Sequence, residues 1–408
     1  MKIALLGLGT VGTGVVDVLG SNREKIAGLT GESLTISHVL VNDINKKRGS
    51  GLDGAVITDD IEKIMEDDTV DIVIEVMGGI ERTKNILKAF LEKGVHVISA
   101  NKDMLAEHID ELAETANENN AQLLYEASVA GGIPIIHGIE HSLNSNQITK
   151  VMGILNGTTN YILSKMTIDG WDYTRALDDA KEKGYAEADP TNDVEGIDAQ
   201  RKIVLLSRLA YGRTVDINTV PVSGISGIDI TDIENAGREN LILKLLGKSE
   251  FRDGTLSISV EPVLLPSDHQ LAGVNYEKNA VFVNGNAVGE AMFYGPGAGS
   301  LETASAVVSD LINAVRSKDS SHKNFAPDVP AAVKNGSGMN EYYIRIKSSG
   351  ADDNLAAVLD ELSIGFSPID TESDFVVRTE AIKASCIDEL KQNDAVNVAA
   401  AYQIDGVE

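Results

Sequence analysis

The sequence predicts an α/β protein: a Rossmann-type doubly wound parallel sheet, then an α+β domain, then a small βαββαβ unit. Three observations carry this reading. A short apolar strand runs directly into Gly7-Leu-Gly9-Thr-Val-Gly12 and then into a helical pattern. Strands and helices alternate from there to about residue 126, and apolar strands separated by helices form parallel sheets covered on both faces. After residue 131 the alternation stops, and residues 341–408 carry four short strands and two helices of their own.

Each element has its own signal. Lys2–Leu6 is the first strand, and Val11 to about Ala27 reads as the helix that the glycines open. Leu34–Val41 alternates and is rich in β-branched residues, so it reads as a strand. Ile61–Glu66 is a short helix, and Asp71–Val76 (DIVIEV) a near-continuous apolar strand. Glu81–Lys93 is a helix ended by Gly94, followed by strand Val95–Ser99, helix Asp103–Asn119 and strand Gln122–Glu126. Beyond these, Gln147–Leu155 and Leu256–Leu264 read as strands, and Tyr173–Lys183, Gly196–Tyr211 and Ile233–Leu246 as helices. Thr303–Arg316 closes this second domain (131–316) with a helix that could return to the first (1–130). Ser317–Asn340 is polar and holds two prolines and two glycines, so it reads as a linker. The end of the chain then gives strands Tyr342–Lys347, Phe366–Asp370, Phe375–Thr379 and Val396–Ile404, with helices Leu355–Leu362 and Ala381–Gln392. That order is ferredoxin-like.

Composition narrows the function classes. The 408 residues hold 62 acidic and 35 basic side chains, a formal net charge of −27. Phosphate backbones and anionic membrane surfaces both need a positive face, and no Lys/Arg-rich stripe exists, so neither nucleic acid nor membrane is an expected partner. No apolar run approaches the ~20 residues of a membrane span. The N-terminal MKIALLGLGTVG reads as a first strand rather than a signal peptide, because glycines and a helical pattern follow. A single cysteine, Cys386, rules out an intrachain disulfide and fits a reducing cytoplasm.

Four stretches carry chemistry. Gly7, Gly9 and Gly12 form GxGxxG between a strand and a helix, the context in which backbone can approach a pyrophosphate at the amides of Thr10 and Val11. Residues 1–130 therefore read as an NAD(P)-binding domain. At the end of the second strand, Asn42-Asp43 precede Lys46-Lys47-Arg48. A carboxylate there suits the 2′-hydroxyl of NAD and cations suit the 2′-phosphate of NADP, so both cofactors stay open. Ser99-Ala100-Asn101-Lys102 follows a strand at the ligand-binding edge of the sheet, where Lys102 meets either a cofactor or solvent. Leu155-Asn-Gly-Thr-Thr-Asn-Tyr161 is dense in small polar residues, which make a turn or line a pocket.

The fourth stretch, GYAEADPTNDVEGIDAQRK (Gly184–Lys202), crowds Glu187, Asp189, Asp193, Glu195 and Asp198 ahead of Arg201 and Lys202. On a helix over 196–211, Asp198 and Lys202 are i and i+4 and share a face. Glu187, in the preceding loop, could fold back toward them. A lysine held among carboxylates keeps its charge and can give a proton to a developing alkoxide. The alternative is an ordinary solvated acidic surface.

Taken together, GLGTVG, EVMGG (Glu75–Gly79), SANK (Ser99–Lys102), GGIPII (Gly131–Ile136), LNGTTNYIL (Leu155–Leu163), the acidic stretch and YGPGAGS (Tyr294–Ser300) resemble homoserine dehydrogenase over nearly all of residues 1–316. The resemblance implies reversible NAD(P)H-dependent reduction of aspartate 4-semialdehyde to homoserine. It implies that Lys202 transfers the proton and that Lys102 is a second active-site lysine near the nicotinamide. It implies substrate contacts from Glu187, Asp198, Asp193, Asn156, Gly157 and Thr158, and adds Met77, Gly78, Ser99, Ala100 and Gly297 to the cofactor contacts. It also implies a sodium site made by Glu126 and the backbone carbonyls of Val129, Gly131 and Ile133; oxygen-only ligation suits a hard cation. Residues 341–408 look like an ACT domain, which implies a threonine effector. The loop Gly350-Ala-Asp-Asp-Asn354 departs from the pattern, because it lacks the glycine usual just before the first ACT helix, where a ligand approaches the backbone closely. The resemblance further implies a homodimer or homotetramer. No kinase-like segment precedes residue 1, so a monofunctional enzyme is expected rather than a fused aspartokinase.

Two alternatives compete. A phosphorylating aspartate-semialdehyde dehydrogenase needs a cysteine nucleophile, and Cys386 sits in the terminal module. A nucleotide-binding amino-acid sensor without turnover would not explain Lys102 and Lys202 at ligand-facing positions.

Overall fold

The computed structural model describes residues 1–46, 51–52, 54–317, 324–325, 327, 329–334, 336, 338–346, 352–361, 364–371, 375–393 and 396–406. Lys47 and Arg48 of the basic trio, and Gly350 and Ala351 of the ACT-like loop, lie outside them. The chain forms two compact units, Met1–Ile148 with Val204–Ile217 and Gly285–Pro330, and Thr149–Ile203 with Asn218–Asn284 and Ala331–Glu408.

The first unit is built on a six-stranded sheet: β1 (Lys2–Leu6), β2 (Thr35–Leu40), β3 (Val56–Thr58), β4 (Ile72–Glu75), β5 (His96–Ser99) and β6 (Leu123–Leu124). Its order is β3-β2-β1-β4-β5-β6, with every pair parallel. The order reverses at β1, so the glycine loop after β1 lies at the switch point where such sheets take ligands. Helix Ser300–Ser317 joins this unit; its Ala304, Val307, Leu311 and Val315 pack in one core with Ile3, Leu5, Val15, Ile72 and Ile74. The helix expected over 11–27 is two, Thr10–Ser21 and Arg23–Thr30, because Asn22 leaves helical geometry and closes the first by donating its N–H to the Val18 carbonyl. β3 escaped the sequence reading because three residues carry no periodicity. The expected strand 122–126 shrinks to two residues, and Glu126–Ser128 form a 3₁₀ turn.

In the second unit a sheet runs through Lys278–Gly285, Ile148–Ile154, Leu241–Arg252, Thr255–Pro266, Val398–Ile404, Met339–Ile346, Phe375–Thr379 and Phe366–Ile369 in that order. Residues 233–246 are not the single helix that the sequence predicts. The helix is Ile230–Arg238, and Leu241–Arg252 is a strand paired antiparallel with Thr255–Pro266 from Leu241↔Pro266 to Arg252↔Thr255. The apolar run 241–246 fits both periods, and length alone does not arbitrate. What decides is the partner strand, joined through Asp253 and Gly254 at φ 51° and 77°, the two-residue Asp-Gly hairpin turn.

The C-terminal segment has the expected βαββαβ order, with helices Asp352–Glu361 and Ala384–Lys391. The four strands of that order lie fourth-first-third-second, all antiparallel, and a further two-residue strand, Ile382–Lys383, pairs antiparallel with Met339 and Asn340. Ile344, Ile346, Leu359, Val377 and Leu390 form its core. The stretch read as a linker contains a short strand, Ala332–Val333, parallel to Thr255–Leu256. Among the described residues no helix is long and apolar enough to cross a membrane.

Candidate active site

The glycine loop separates what the protein needs from what a ligand needs. Gly7 has φ +105°, and a β-carbon there would stand 2.8 Å from the Val76 carbonyl oxygen. One on Gly12 would stand 2.2 Å from the Gly7 oxygen. Both glycines are therefore required by the fold. Gly9 is different: an added β-carbon would meet nothing within 4 Å among the described residues. Its missing side chain leaves room for something outside the chain. Gly9 also caps helix Thr10–Ser21 without any side-chain acceptor, so the N–H donors at Thr10, Val11 and Gly12 have no side-chain oxygen from the cap position. Open space against a helix N-terminus fits a pyrophosphate. Asn42 and Asp43 are exposed at the carboxyl end of β2, where Asp43 accepts the Asn45 N–H at 2.8 Å.

The next two loops are tied together by one buried carboxylate. Glu75, at the end of β4, accepts N–H bonds from Met77 (2.8 Å) and Gly78 (3.1 Å) and the Ser99 hydroxyl proton (2.6 Å). Burial pushes its carboxyl above the ordinary range. Ser99 in turn accepts from the Asn101 N–H, and Asn101 donates to the Gly79 carbonyl and caps helix Lys102–Glu118 through Met104. Ala100 N–H donates to Glu75 O at 3.1 Å, and Lys102 is the first residue of the helix, half-buried, in the first unit. This role of Glu75 was not legible in EVMGG, because its partner Ser99 lies across the sheet, in register on β5.

Gly131, at φ +56°, sits so close to Gly297 that a β-carbon would stand 2.5 Å from its carbonyl oxygen. Nearby Glu126 is 1 % exposed and accepts N–H bonds from Ile136 (2.9 Å) and His137 (2.7 Å). Its burial raises the carboxyl to about 7. Val129 and Ile133 are buried, and the Ile133 carbonyl accepts the Ile135 N–H. Glu126 Oε2 also lies 3.1 Å from His137 Nδ1, whose other ring nitrogen meets the buried Asp310 at 2.8 Å; a cation beside Glu126 would favour its ionised form. No group of three His, Cys, Asp or Glu side chains suited to a metal ion exists among the described residues.

The second unit gathers the other predicted residues. Helix Ile197–Tyr211 presents Asp198 and Lys202 on one face, 6 % and 9 % exposed. The Lys202 ammonium donates to Asp198 Oδ2 at 2.6 Å and to the Leu155 carbonyl at 2.7 Å. Asn156 caps helix Gly157–Asp169 by accepting the Thr159 N–H, while its amide donates to Asp193 (2.7 Å) and Asp198 (2.9 Å). Thr158 donates to the Tyr185 carbonyl at 2.6 Å. Gly157 must be glycine, since a β-carbon would lie 2.7 Å from the Glu277 oxygen. Asp193 is held above the ordinary range, first by burial and then by the neighbouring Asp198 charge, against the lowering bond from Asn156.

Not every carboxylate of the acidic stretch joins. Glu187 is exposed and makes no ion pair with Lys202 among the described residues. Asp189 accepts the N–H and hydroxyl of Thr191, a local turn ahead of helix Thr191–Val194. Asn160 of the small-polar stretch also matters, with Lys244, which the sequence reading passed over. Asn160 and Lys244, both buried, bond to each other below the start of helix Gly157–Asp169.

Open space at Gly9 in the first unit, at the switch point of a parallel sheet, and in the second unit a buried lysine held by a carboxylate and a carbonyl, are each the chemistry of a nicotinamide-dependent oxidoreductase acting on a small molecule. The comparisons agree. The homoserine dehydrogenase NAD-binding model matches residues 7–126, and the homoserine dehydrogenase model matches residues 134–312. The chain is 43% identical over 377 residues to the homoserine dehydrogenase of Bacillus subtilis, covering 90% of this chain and 87% of that one. A crystal structure of a homoserine dehydrogenase from Thiobacillus denitrificans superposes with TM-score 0.92 at 33% identity, covering 99% of this chain and 98% of that one. A hyperthermophilic archaeal homoserine dehydrogenase in complex with NADPH superposes with TM-score 0.65 at 27% identity, over 77% of this chain and 97% of that one. The chain belongs to the homoserine dehydrogenase family and is an NAD(P)-dependent oxidoreductase. The sensor reading has no support among these relatives.

Proposed function

We propose that the enzyme reversibly reduces L-aspartate 4-semialdehyde to L-homoserine, a step toward threonine, methionine and isoleucine. The observation that carries this is Lys202. Two of its three ammonium donors are engaged, by Asp198 and the Leu155 carbonyl, which leaves the third for a substrate oxygen. The bound nicotinamide supplies the hydride. As the aldehyde oxygen gains negative charge, Lys202 stabilises it and gives up the proton that makes the hydroxyl. Asp198 and Leu155 hold the lysine's direction throughout. Glu187 and Asp198 receive the substrate's α-ammonium in this reading, with Asp193, Asn156, Gly157 and Thr158 around it. Lys102 serves the nicotinamide end of the cofactor. Gly7, Gly9, Thr10, Val11, Gly12, Met77, Gly78, Ser99, Ala100 and Gly297 make the remaining dinucleotide contacts, with Asn42 and Asp43 at the ribose. Sodium bound by Glu126 and the carbonyls of Val129, Gly131 and Ile133 is a structural ion. Threonine is the expected effector of the ACT-like βαββαβ domain, and the assembly a homodimer or homotetramer.

The test is direct. NADPH and NADH are supplied in turn with aspartate semialdehyde, with and without threonine, and initial rates are followed. Turnover with at least one dinucleotide is expected. Absence of turnover with both would sink the reading.

A further inference from the structure

We infer that Lys244 is a positioning residue, whose ammonium ties the start of the substrate-contacting helix to the strand and loop beneath it. The inference rests on reading Asn156 and Thr158 as substrate contacts. Lys244 lies on strand Leu241–Arg252 and is 1 % exposed. Its ammonium donates to Asn160 Oδ1 (3.2 Å), the Val274 carbonyl (2.5 Å) and Asn275 Oδ1 (3.2 Å). No carboxylate pairs with it among the described residues, and burial alone lowers its pKa to about 8. An ammonium buried without a counter-charge is costly, and an apolar side chain of similar length would fill the same space.

The arrangement explains why a lysine stands there. Three acceptors from two separate segments converge on one point, and only an ammonium brings three N–H donors to one point. One acceptor, Asn160, sits in the first turn of helix Gly157–Asp169. Its own amide donates to the Val274 and Lys278 carbonyls, at 3.1 and 3.0 Å. Gly157 packs against Glu277 in the same loop. The first helical turn is thus seated on residues 274–278, and Lys244 braces that seat from the strand side. On the other side of the same turn, Asn156 holds Asp193 and Asp198, and Thr158 holds the Tyr185 carbonyl. A shift of the seat moves these groups directly, and misplacement on the order of 1 Å is enough to cost substrate affinity or rate.

The test is Lys244→Met, similar in reach but without donors. Hydrogen–deuterium exchange of the unliganded enzyme should accelerate by about tenfold in peptides spanning 156–163 and stay unchanged in those spanning 2–21. The KM for the amino-acid substrate should rise by about tenfold while the dinucleotide KM holds, since a tenfold change is what loss of one well-placed contact gives. Unchanged exchange at 156–163, or equal rises in both KM values, would overturn the inference. If Lys244→Met does not fold, Asn160→Leu removes the other end of the bond and must give the same KM split; the split's absence counts against the proposal. Asn156→Ala tests the underlying reading separately. If it leaves the substrate KM untouched, the substrate reading fails. If it raises that KM and Lys244→Met does not, only the role of Lys244 fails.

Discussion

At Gly9 the first unit leaves a gap, and at Lys202 the second unit fills one. The nucleotide loop is made of backbone: glycines that permit close approach and N–H groups at a helix start, with Glu75 behind them as the buried side-chain brace. The polar cluster of the second unit is made of side chains, each fixed by another, from Asn156 to Asp198 to Lys202. A backbone site tolerates almost any side chain that points away but none that points in. A side-chain site fails wherever one link is removed. This difference sets the order of the expected effects.

The largest follows from removing the proton donor. Lys202→Ala should lower kcat by ~10²-fold or more, as loss of a general acid does. The variant should also lose stability, because Asp198 would remain buried without its cation. Rescue of the rate by added small amines would sharpen the assignment; a rate within a few-fold of wild type, measured on folded protein, would break it.

The glycine pair gives the next effect. Gly9→Ala should leave thermal stability unchanged, since its β-carbon meets no protein atom. It should raise the dinucleotide KM by about tenfold, the value of one charge-assisted bond of roughly 1.5 kcal/mol. Gly12→Ala should do the reverse first, losing ~1–3 kcal/mol of stability through its clash with Gly7. If both variants behave alike in melting and in KM, the division between fold glycine and ligand glycine does not hold.

This contrast also explains what was legible. GxGxxG, SANK and the i,i+4 pair of Asp198 and Lys202 are local, so spacing alone placed them on a strand end or a helix face. Sheet order, the ties of Glu75 and the brace of Lys244 depend on strands that meet only after folding. Leu241–Leu246 shows the limit: its pattern suits a helix, and only pairing with residues 255–266 makes it a strand. Glu187 shows the converse, since chain proximity to Asp193 and Asp198 left it exposed, while Asp198 is buried. Asp43 and Lys46 left the cofactor open in the sequence for a chemical reason, because one loop offers partners to both dinucleotides.

A third expectation concerns pH. The Lys244 pKa is lowered from 10.5 to about 8 by burial. Between those values the unfolded chain binds a proton that the folded chain has lost, so unfolding takes up a proton and stability rises with pH across that window. The cost of the buried charge is fully present below about 8 and is lifted toward 10.5. Each pH unit there contributes up to about 1.4 kcal/mol. Denaturant unfolding at both ends of the window should show this slope in wild type and its loss in Lys244→Met. Parallel slopes would mean that the lysine keeps its ordinary affinity for protons, contrary to its burial.

The smallest effect belongs to Asp189, which shares the acidic stretch with Asp193 and Asp198 but is exposed and, among the described residues, bonds to Thr191 alone. Its carboxyl sits below the ordinary range because of the Thr191 hydroxyl and N–H, a local matter. Asp189→Ala should therefore change kcat and both KM values by less than about twofold, as surface substitutions do. Asp193→Ala, four residues on, removes a half-buried acceptor of Asn156 and should raise the substrate KM well beyond that. Similar kinetics in the two variants would mean that the stretch acts through its net charge, and that the bonds of Asn156 do not single out particular carboxylates within it.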